Sequence, residues 1–459
     1  MMKNNVLYYI ALAVLLFSAA CSSNEDNQLA DSTYAPSPVE WSYNATIYEV
    51  NVRQFSEEGS FARVEEALPR LKELGIEIVW LMPVHPIGEV ERKGSLGSYY
   101  SVKDFFDVNP EFGTKDDFRS LVETAHSLDM KVLLDWVANH TAWDNSLTET
   151  NPGFFETNDE GNFIPPRGTD WSDVIQLDYS NPEVHDYMVS ALRYWVEEFG
   201  VDGYRADVAY LVPTEFWERA RRELDEIKPV FMLAEAHEPE LHPAFDMGYN
   251  WEVHHTMNRI AAGENTVADL EQEINNVKER FGRDVFMMNF ITNHDENSWA
   301  GTEFDRLGDG VDAFAVLMST MEGMPLIYNG QETGFDHMLE FFEKDPIVWD
   351  FDSPYQDFYS TLFHLKREHP ALQNGSRGGE MMRINTSDDE SVYAFSRSQN
   401  DEHVVVVLNL SDAAVSITLE PGAPAGSYMS LFGDGSFDDG IPASMDLEAW
   451  DYHVFVSSN

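Results

Sequence analysis

Arg205 and Asp207 stand two residues apart at the end of Val201-Asp-Gly-Tyr-Arg-Ala-Asp207. In an extended strand, side chains at i and i+2 share one face, so a guanidinium and a carboxylate would point the same way at the strand's end. The guanidinium favours the ionised carboxylate and fixes its orientation, which suits an acid that must attack as an anion. One such pair, taken alone, reads more simply as a structural ion pair. Three further stretches change the balance. Asp135-Trp-Val-Ala-Asn139-His140 follows the apolar run 131–134, Glu235 follows 230–234, and Asn293-His294-Asp295 follows 285–291. Residues at the C-terminal ends of several strands converge only at the lip of a parallel barrel or of an open α/β sheet.

These four segments, in this order, resemble the four signature regions of the α-amylase family, glycoside hydrolase family 13. The resemblance runs from about Trp41 to the C-terminus. It includes Ile47-Tyr-Glu-Val-Asn-Val-Arg-Gln-Phe55, the stretch from Gly75 to Pro83 with Trp80, and Gly323-Met-Pro-Leu-Ile-Tyr-Asn-Gly-Gln-Glu332. It implies a retaining hydrolase of α-1,4-glucosidic bonds in starch-like glucans and maltooligosaccharides. Such an enzyme needs a carboxylate at the anomeric carbon and an acid at the leaving oxygen. By resemblance Asp207 is the nucleophile, Glu235 the acid/base and Asp295 the stabiliser of the cationic transition state. Arg205 would hold Asp207 ionised, and burial beside other carboxylates would raise Glu235 toward a protonated resting form. His140 and His294 match histidines that hydrogen-bond the cleaved sugar, Tyr100 matches an aromatic floor beneath it, and Asp135 supports the site.

The pattern departs from the family in places. Tyr99 stands where Gly is common and Ser101 where Asp is common. Tyr210 and Leu211 stand where α-amylases often carry Lys-His, whose His contacts a calcium ion. Asn139, Asp173 and Asp178 are then the remaining candidate calcium ligands, and calcium needs several oxygens. The Asp-rich calcium loop of some relatives is replaced by Ser56-Glu-Glu-Gly59. No cofactor is expected to be required, with calcium left optional.

Strand-like and helix-like runs alternate from 46 to 369, which predicts a (β/α)8 TIM barrel over 41–140 and 182–374. The stretch 141–181 is rich in Asn, Gly, Pro and Thr and predicts a short inserted domain B, with Trp143 and Trp171 in its own core. From about Gly375, short β-type runs separated by turn residues predict a C-terminal antiparallel β-sandwich domain over 375–459. A short insertion leaves a groove open at both ends, so endo cleavage is expected. The alternatives are an exo-acting α-glucosidase or a 4-α-glucanotransferase using the same acids. A non-catalytic glucan-binding lipoprotein on this fold would typically lack some of those acids.

Composition narrows the partners. The chain has 459 residues, with 29 basic against 81 acidic, for a formal charge of −52. That excludes nucleic acid and electrostatic docking on anionic lipid, whereas a neutral glucan meets no such repulsion. Lys3, an apolar run at 6–17 and Ser18-Ala-Ala-Cys21 read as a signal peptide over 1–20, followed by a polar tether over 21–40. Cys21 is the only cysteine and so has no internal disulfide partner. Its position resembles the lipidated cysteine of bacterial lipoproteins. The expectation is export and lipid anchoring to the outer membrane, with exposure on the cell surface suggested by the acidic residues that follow. Sequence leaves the oligomeric state open.

Overall fold

The computed structural model describes residues 37–458. The expected signal peptide, the lipidation site Cys21 and most of the tether lie outside the described residues. Eight parallel strands close into a barrel: β1 (Ile47–Val50), β2 (Ile78–Leu81), β3 (Lys131–Trp136), β4 (Gly203–Ala206), β5 (Phe231–Ala234), β6 (Met247–Tyr249), β7 (Phe286–Asn289) and β8 (Met324–Tyr328). Around the barrel they run in sequence order, with β8 beside β1. The expected TIM barrel is therefore present.

Strands covered on both faces read as continuous apolar runs rather than alternating ones. Ile47, Trp80, Leu133, Phe231, Leu233, Met288 and Leu326 belong to the core inside the barrel. Val79, Val132, Leu134, Tyr204, Met232 and Ile327 pack outward with the helices. The turn Glu40–Asn44 plugs the end where the strands begin, with Trp41 5.7 Å from the Phe231 ring and Tyr43 5.4 Å from Phe286.

Local signals set the helix borders. Thr114 caps helix Lys115–Ser127, its hydroxyl accepting from Asp117 N–H while Asp117 accepts from Thr114 N–H. Helix Pro182–Phe199 opens with a proline at its first turn and Asn181 as its cap. Gly203 has a different task. A Cβ there would lie 1.9 Å from the Phe231 carbonyl oxygen, so only glycine lets β4 pass this close to β5. With that register, Asp135 of β3, Arg205 of β4 and Leu233 of β5 come level near the barrel's lip.

Between β3 and helix Pro182–Phe199 lies a small lobe whose strands His140–Ala142 and Val174–Gln176 pair antiparallel, His140 opposite Gln176. The C-terminal region carries a six-stranded sheet and a separate two-stranded pair, Val415–Thr418 with Ser444–Leu447. The two share a core that includes Ile384, Val392, Val405, Val407, Ile417, Leu447 and Phe455. The alternate residues Tyr393, Phe395, Val404, Val406 and Val454 face the barrel core instead. This is the antiparallel domain that the sequence pattern predicts. Among the described residues, no helix is long and apolar enough to cross a membrane.

Candidate active site

Arg205 is fully buried and sits among three carboxylates. Its Nη1 donates to Asp135 Oδ1 at 2.8 Å and to Asp207 Oδ1 at 3.1 Å. Its Nη2 lies 3.0 Å from Glu235 Oε1, a Coulombic contact outside hydrogen-bonding alignment. Its Nε donates to the Tyr249 hydroxyl at 3.2 Å. Glu235 follows β5 immediately, and its Oε2 accepts from the backbone N–H of Val208 at 2.7 Å. Val208 has φ +37° and ψ +49°, a left-handed conformation that is costly for a β-branched residue. That strain turns the peptide after Asp207 toward Glu235.

One cation shared by three acids cannot hold them all ionised. Burial and the Glu235 carboxylate push Asp207 well above the usual carboxylate range, and Arg205 offsets only part of this. Burial also pushes Asp135 up, to about 6, against the pull of Arg205 and His294. Arg205 therefore does not act on Asp207 alone: the guanidinium is divided among three acids, whose titrations are linked.

A second set faces it. His294 Nδ1 is 2.5 Å from Glu49 Oε1, and Nε2 is 2.8 Å from the Tyr100 hydroxyl and 3.2 Å from Asp295 Oδ2. Burial disfavours the imidazolium, but Asp295 and Glu49 outweigh it and raise His294 to about 9. Both ring nitrogens then donate. Tyr100 accepts from His294 and donates to Asp135 Oδ2 at 3.0 Å, which also accepts from Trp80 Nε1 at 3.2 Å. The Tyr100 ring stacks on His294 at 5.6 Å and on Phe341 at 6.3 Å. His140 is neutral, because burial lowers it to about 3.

These groups line one open cleft enclosing about 1040 Å³ that reaches into solvent. Tyr100, His140, Asp207, Glu235, His294 and Asp295 all face it. Arg205 and Asp135 stand behind them as supports. Trp171, expected in the core of the insertion, instead lines the cleft with its ring 5.4 Å from His140. Trp143 does pack against the core, donating to Ser172 O at 2.9 Å. Sequence reasoning gave no role to Glu49, Lys93, Trp299, Phe341 or Phe342. A lone acid inside the apolar strand β1 could have marked Glu49. The aromatic wall of Trp299, Phe341 and Phe342 comes from loops after β7 and β8 and carries no periodic signal.

The donors proposed for calcium do not fit a cation. Gln176 Nε2 donates to Asn139 Oδ1 at 2.9 Å, Asn139 O at 3.0 Å and Leu177 O at 3.1 Å. A side-chain amide thus occupies oxygens that an ion would need. Asp173 pairs with Lys93 at 3.2 Å, and Asp178 Oδ1 accepts from Ser180 N–H at 2.9 Å. Among the described residues, no three His, Cys, Asp or Glu are placed to hold a metal.

A closed parallel barrel with its acids and histidines at the strands' C-terminal lip has the architecture of a TIM-barrel enzyme. The family profile described as alpha amylase, catalytic domain, matches residues 23–163 and 169–350, and that of the maltogenic amylase C-terminal domain matches 382–455. The chain belongs to the α-amylase family of glycoside hydrolases. A noncanonic maltogenic alpha-amylase, AmyB, from Thermotoga neapolitana is 31% identical, with a TM-score of 0.78 over 90% of this chain and 96% of that one. An alpha-amylase from Lactobacillus plantarum is also 31% identical, with a TM-score of 0.80 over 90% of this chain and 99% of that one. The alpha-amylase MalA of Haloarcula japonica is 26% identical over 86% of this chain, which spans 60% of MalA's length.

Proposed function

We propose that this chain is a retaining hydrolase of α-1,4-glucans in which Asp207 is the nucleophile and Glu235 the general acid and base. The observation that carries this reading is the pair of carboxylates meeting neighbouring nitrogens of one guanidinium. That arrangement favours the ~5–5.5 Å separation of a retaining pair over the ~6.5–9.5 Å that leaves room for a water. The relatives named as amylases support an α-glucan as substrate.

In the proposed reaction, Asp207 bonds to the anomeric carbon while Glu235 protonates the departing glycosidic oxygen. For this step Glu235 must be the protonated member of the pair. Positive charge growing at the anomeric carbon favours this, because it stabilises Asp207 as the anion nearest to it. Water, deprotonated by Glu235, next cleaves the glycosyl ester and restores both carboxyls. Asp295 supplies negative charge beside the cationic sugar, and His294 and neutral His140 offer hydrogen bonds to its hydroxyls. Tyr100 offers its ring as the floor.

The expectation of mid-chain attack rests on the short insertion. A different observation favours chain-end attack: the segment 93–96 contacts both walls of the cleft, which argues against a groove open at both ends. Digestion of a maltooligosaccharide followed by proton NMR tests the chemistry. The α-anomer should appear first and mutarotate later. The β-anomer appearing first, or no hydrolysis of any glucan, would overturn the reading.

A further inference from the structure

The loop between β2 and helix Lys115–Ser127 is strapped across one end of the cleft. On one side Lys93 Nζ donates to Asp170 O at 3.1 Å and pairs with Asp173 Oδ1 at 3.2 Å, both in the inserted lobe. On the other, Ser95 N–H donates to Glu343 Oε1 at 2.8 Å and Leu96 N–H to Phe342 O at 3.1 Å. Gly94 makes the second contact possible. Its φ is +62°, and a Cβ there would lie 2.5 Å from Phe342 Cβ. Behind the strap, Arg53 donates to Gly97 O at 2.9 Å and to Leu96 O at 3.2 Å.

Lys93, Asp170 and Phe342 line the same cleft as Asp207. The strap runs on into Ser98 and Tyr100, so it stands on the Tyr100–His294 side of the site rather than the Glu235–Val208 side. The leaving part of a glucan must lie toward its acid, Glu235. What meets the strap is therefore the other part, which ends in the non-reducing terminus. Lys93 has three donors and spends two on the lobe. It is the one Lys or Arg among the described residues that line the cleft.

We propose that Lys93 and its strap are the element that fixes specificity: they stop a glucan at its non-reducing end, and Lys93 donates to a hydroxyl of the terminal glucose. This rests on the glucan-hydrolase reading above. A neutral sugar hydroxyl suits this ammonium, because its charge is already matched by Asp173 and only a donor remains to be used.

The test compares the full chain with Lys93→Met, which keeps the stem and loses the donors, and Lys93→Arg, which keeps donors. On amylose, the wild type should lose iodine staining slowly for each reducing end released. Lys93→Met should lose it several-fold faster per reducing end, and its KM for maltotetraose should rise several-fold with kcat within about twofold. Lys93→Arg should stay close to the wild type. Glu343→Ala removes the side chain that accepts from Ser95 N–H in the opposite anchor and should move the staining ratio the same way, so the test survives if Lys93→Met fails to fold. An unchanged ratio in the variants, or rapid early loss of staining by the wild type, would overturn the inference. A wild type inactive on every glucan would sink the hydrolase reading first, so the two failures are distinguishable.

Discussion

Arg205 at the barrel's lip and Arg397 at its opposite end are both buried, yet they are held by different materials. Arg397 donates to four backbone carbonyls: Gly379 O at 2.9 Å, Thr320 O at 3.2 Å, Met321 O at 2.9 Å and Gln373 O at 2.9 Å. Beside it, the buried Lys366 donates to Gly323 O at 2.8 Å and to Leu372 O. Burial lowers Arg397 to about 10 and holds Lys366 well below the usual lysine range. Carbonyls satisfy a cation without bringing a second titrating group, so this junction fixes the C-terminal domain in one geometry. Arg205 instead faces Asp135, Asp207 and Glu235, a surplus of acids whose protons can be redistributed. The difference lies in the partners: at the junction neighbouring cations are held by fixed carbonyls, whereas at the lip one cation is shared by acids that can exchange protons.

The largest expected effect tests that conflict directly. Asp207→Asn should cut turnover of a maltooligosaccharide by about 10³-fold or more, as for a group that acts in the transition state. Because it removes one of the crowded charges, the melting temperature should hold or rise. A variant that unfolds, or one with near wild-type turnover, would break the comparison at the lip. At the other end the pattern should invert. Arg397→Met leaves carbonyls without donors and should cost about 3 kcal/mol of stability or more in denaturant unfolding. Its kcat/KM, measured on folded protein, should stay within about twofold. Lost turnover without lost stability would show that the two ends are coupled.

The His294 pairs give an intermediate effect with a definite sign. Its folded pKa is raised to about 9, above the ordinary value. The stabilisation from Glu49 and Asp295 is thus complete below about pH 6.5 and is lost as pH rises through about 9. His294→Gln should be less stable than the wild type at pH 6, and the two melting curves should converge above about pH 9. A gap that stays constant up to pH 10 would mean that His294 is held as the neutral ring.

Much of this site was legible because acids that end apolar strands are conspicuous. Asp135, Asp207, Glu235 and Asp295 each terminate or closely follow such a run, and barrel closure brings them together. Thr114 and Asn181 set their helix borders with their own side chains, a signal carried by residue type. Short elements carried no such signal. The strands Tyr428–Ser430 and Ser436–Phe437 are too brief for a period to register. Two kinds of site information were hidden as well. Trp171 and the aromatic wall depend on the paths of loops, which residue types do not specify. The division of Arg205 among three acids depends on the barrel's register, so an Arg-x-Asp pair looked like a simple ion pair.

The smallest expected effect separates the buried junction from the surface around it. With 81 acidic against 29 basic residues, the surface repels itself, and folding concentrates that charge. Sodium chloride shortens the screening length from about 10 Å at 0.1 M to about 3 Å at 1 M. It weakens attractive pairs too, such as Arg63 with Glu58 and Glu66, or Arg377 with Glu40. Exposed pairs of this kind contribute little, because solvent already screens them. Cations are too few to offset the surplus of acids, so relief of repulsion should win. The melting temperature should rise by a few degrees between about 0.05 M and 1 M sodium chloride, and most of the rise should come early, as screening saturates. Chloride is the better anion for this test, since sulfate would stabilise by exclusion from the surface regardless of charge. Arg397, caged by carbonyls, lies beyond the reach of mobile ions. The change in melting temperature caused by Arg397→Met should therefore be the same in low and high salt, while the wild-type baseline moves. A baseline that is flat or falls with salt would mean that surface attraction balances the repulsion. A salt-dependent Arg397→Met shift would mean that the junction is wetter than its carbonyl cage implies.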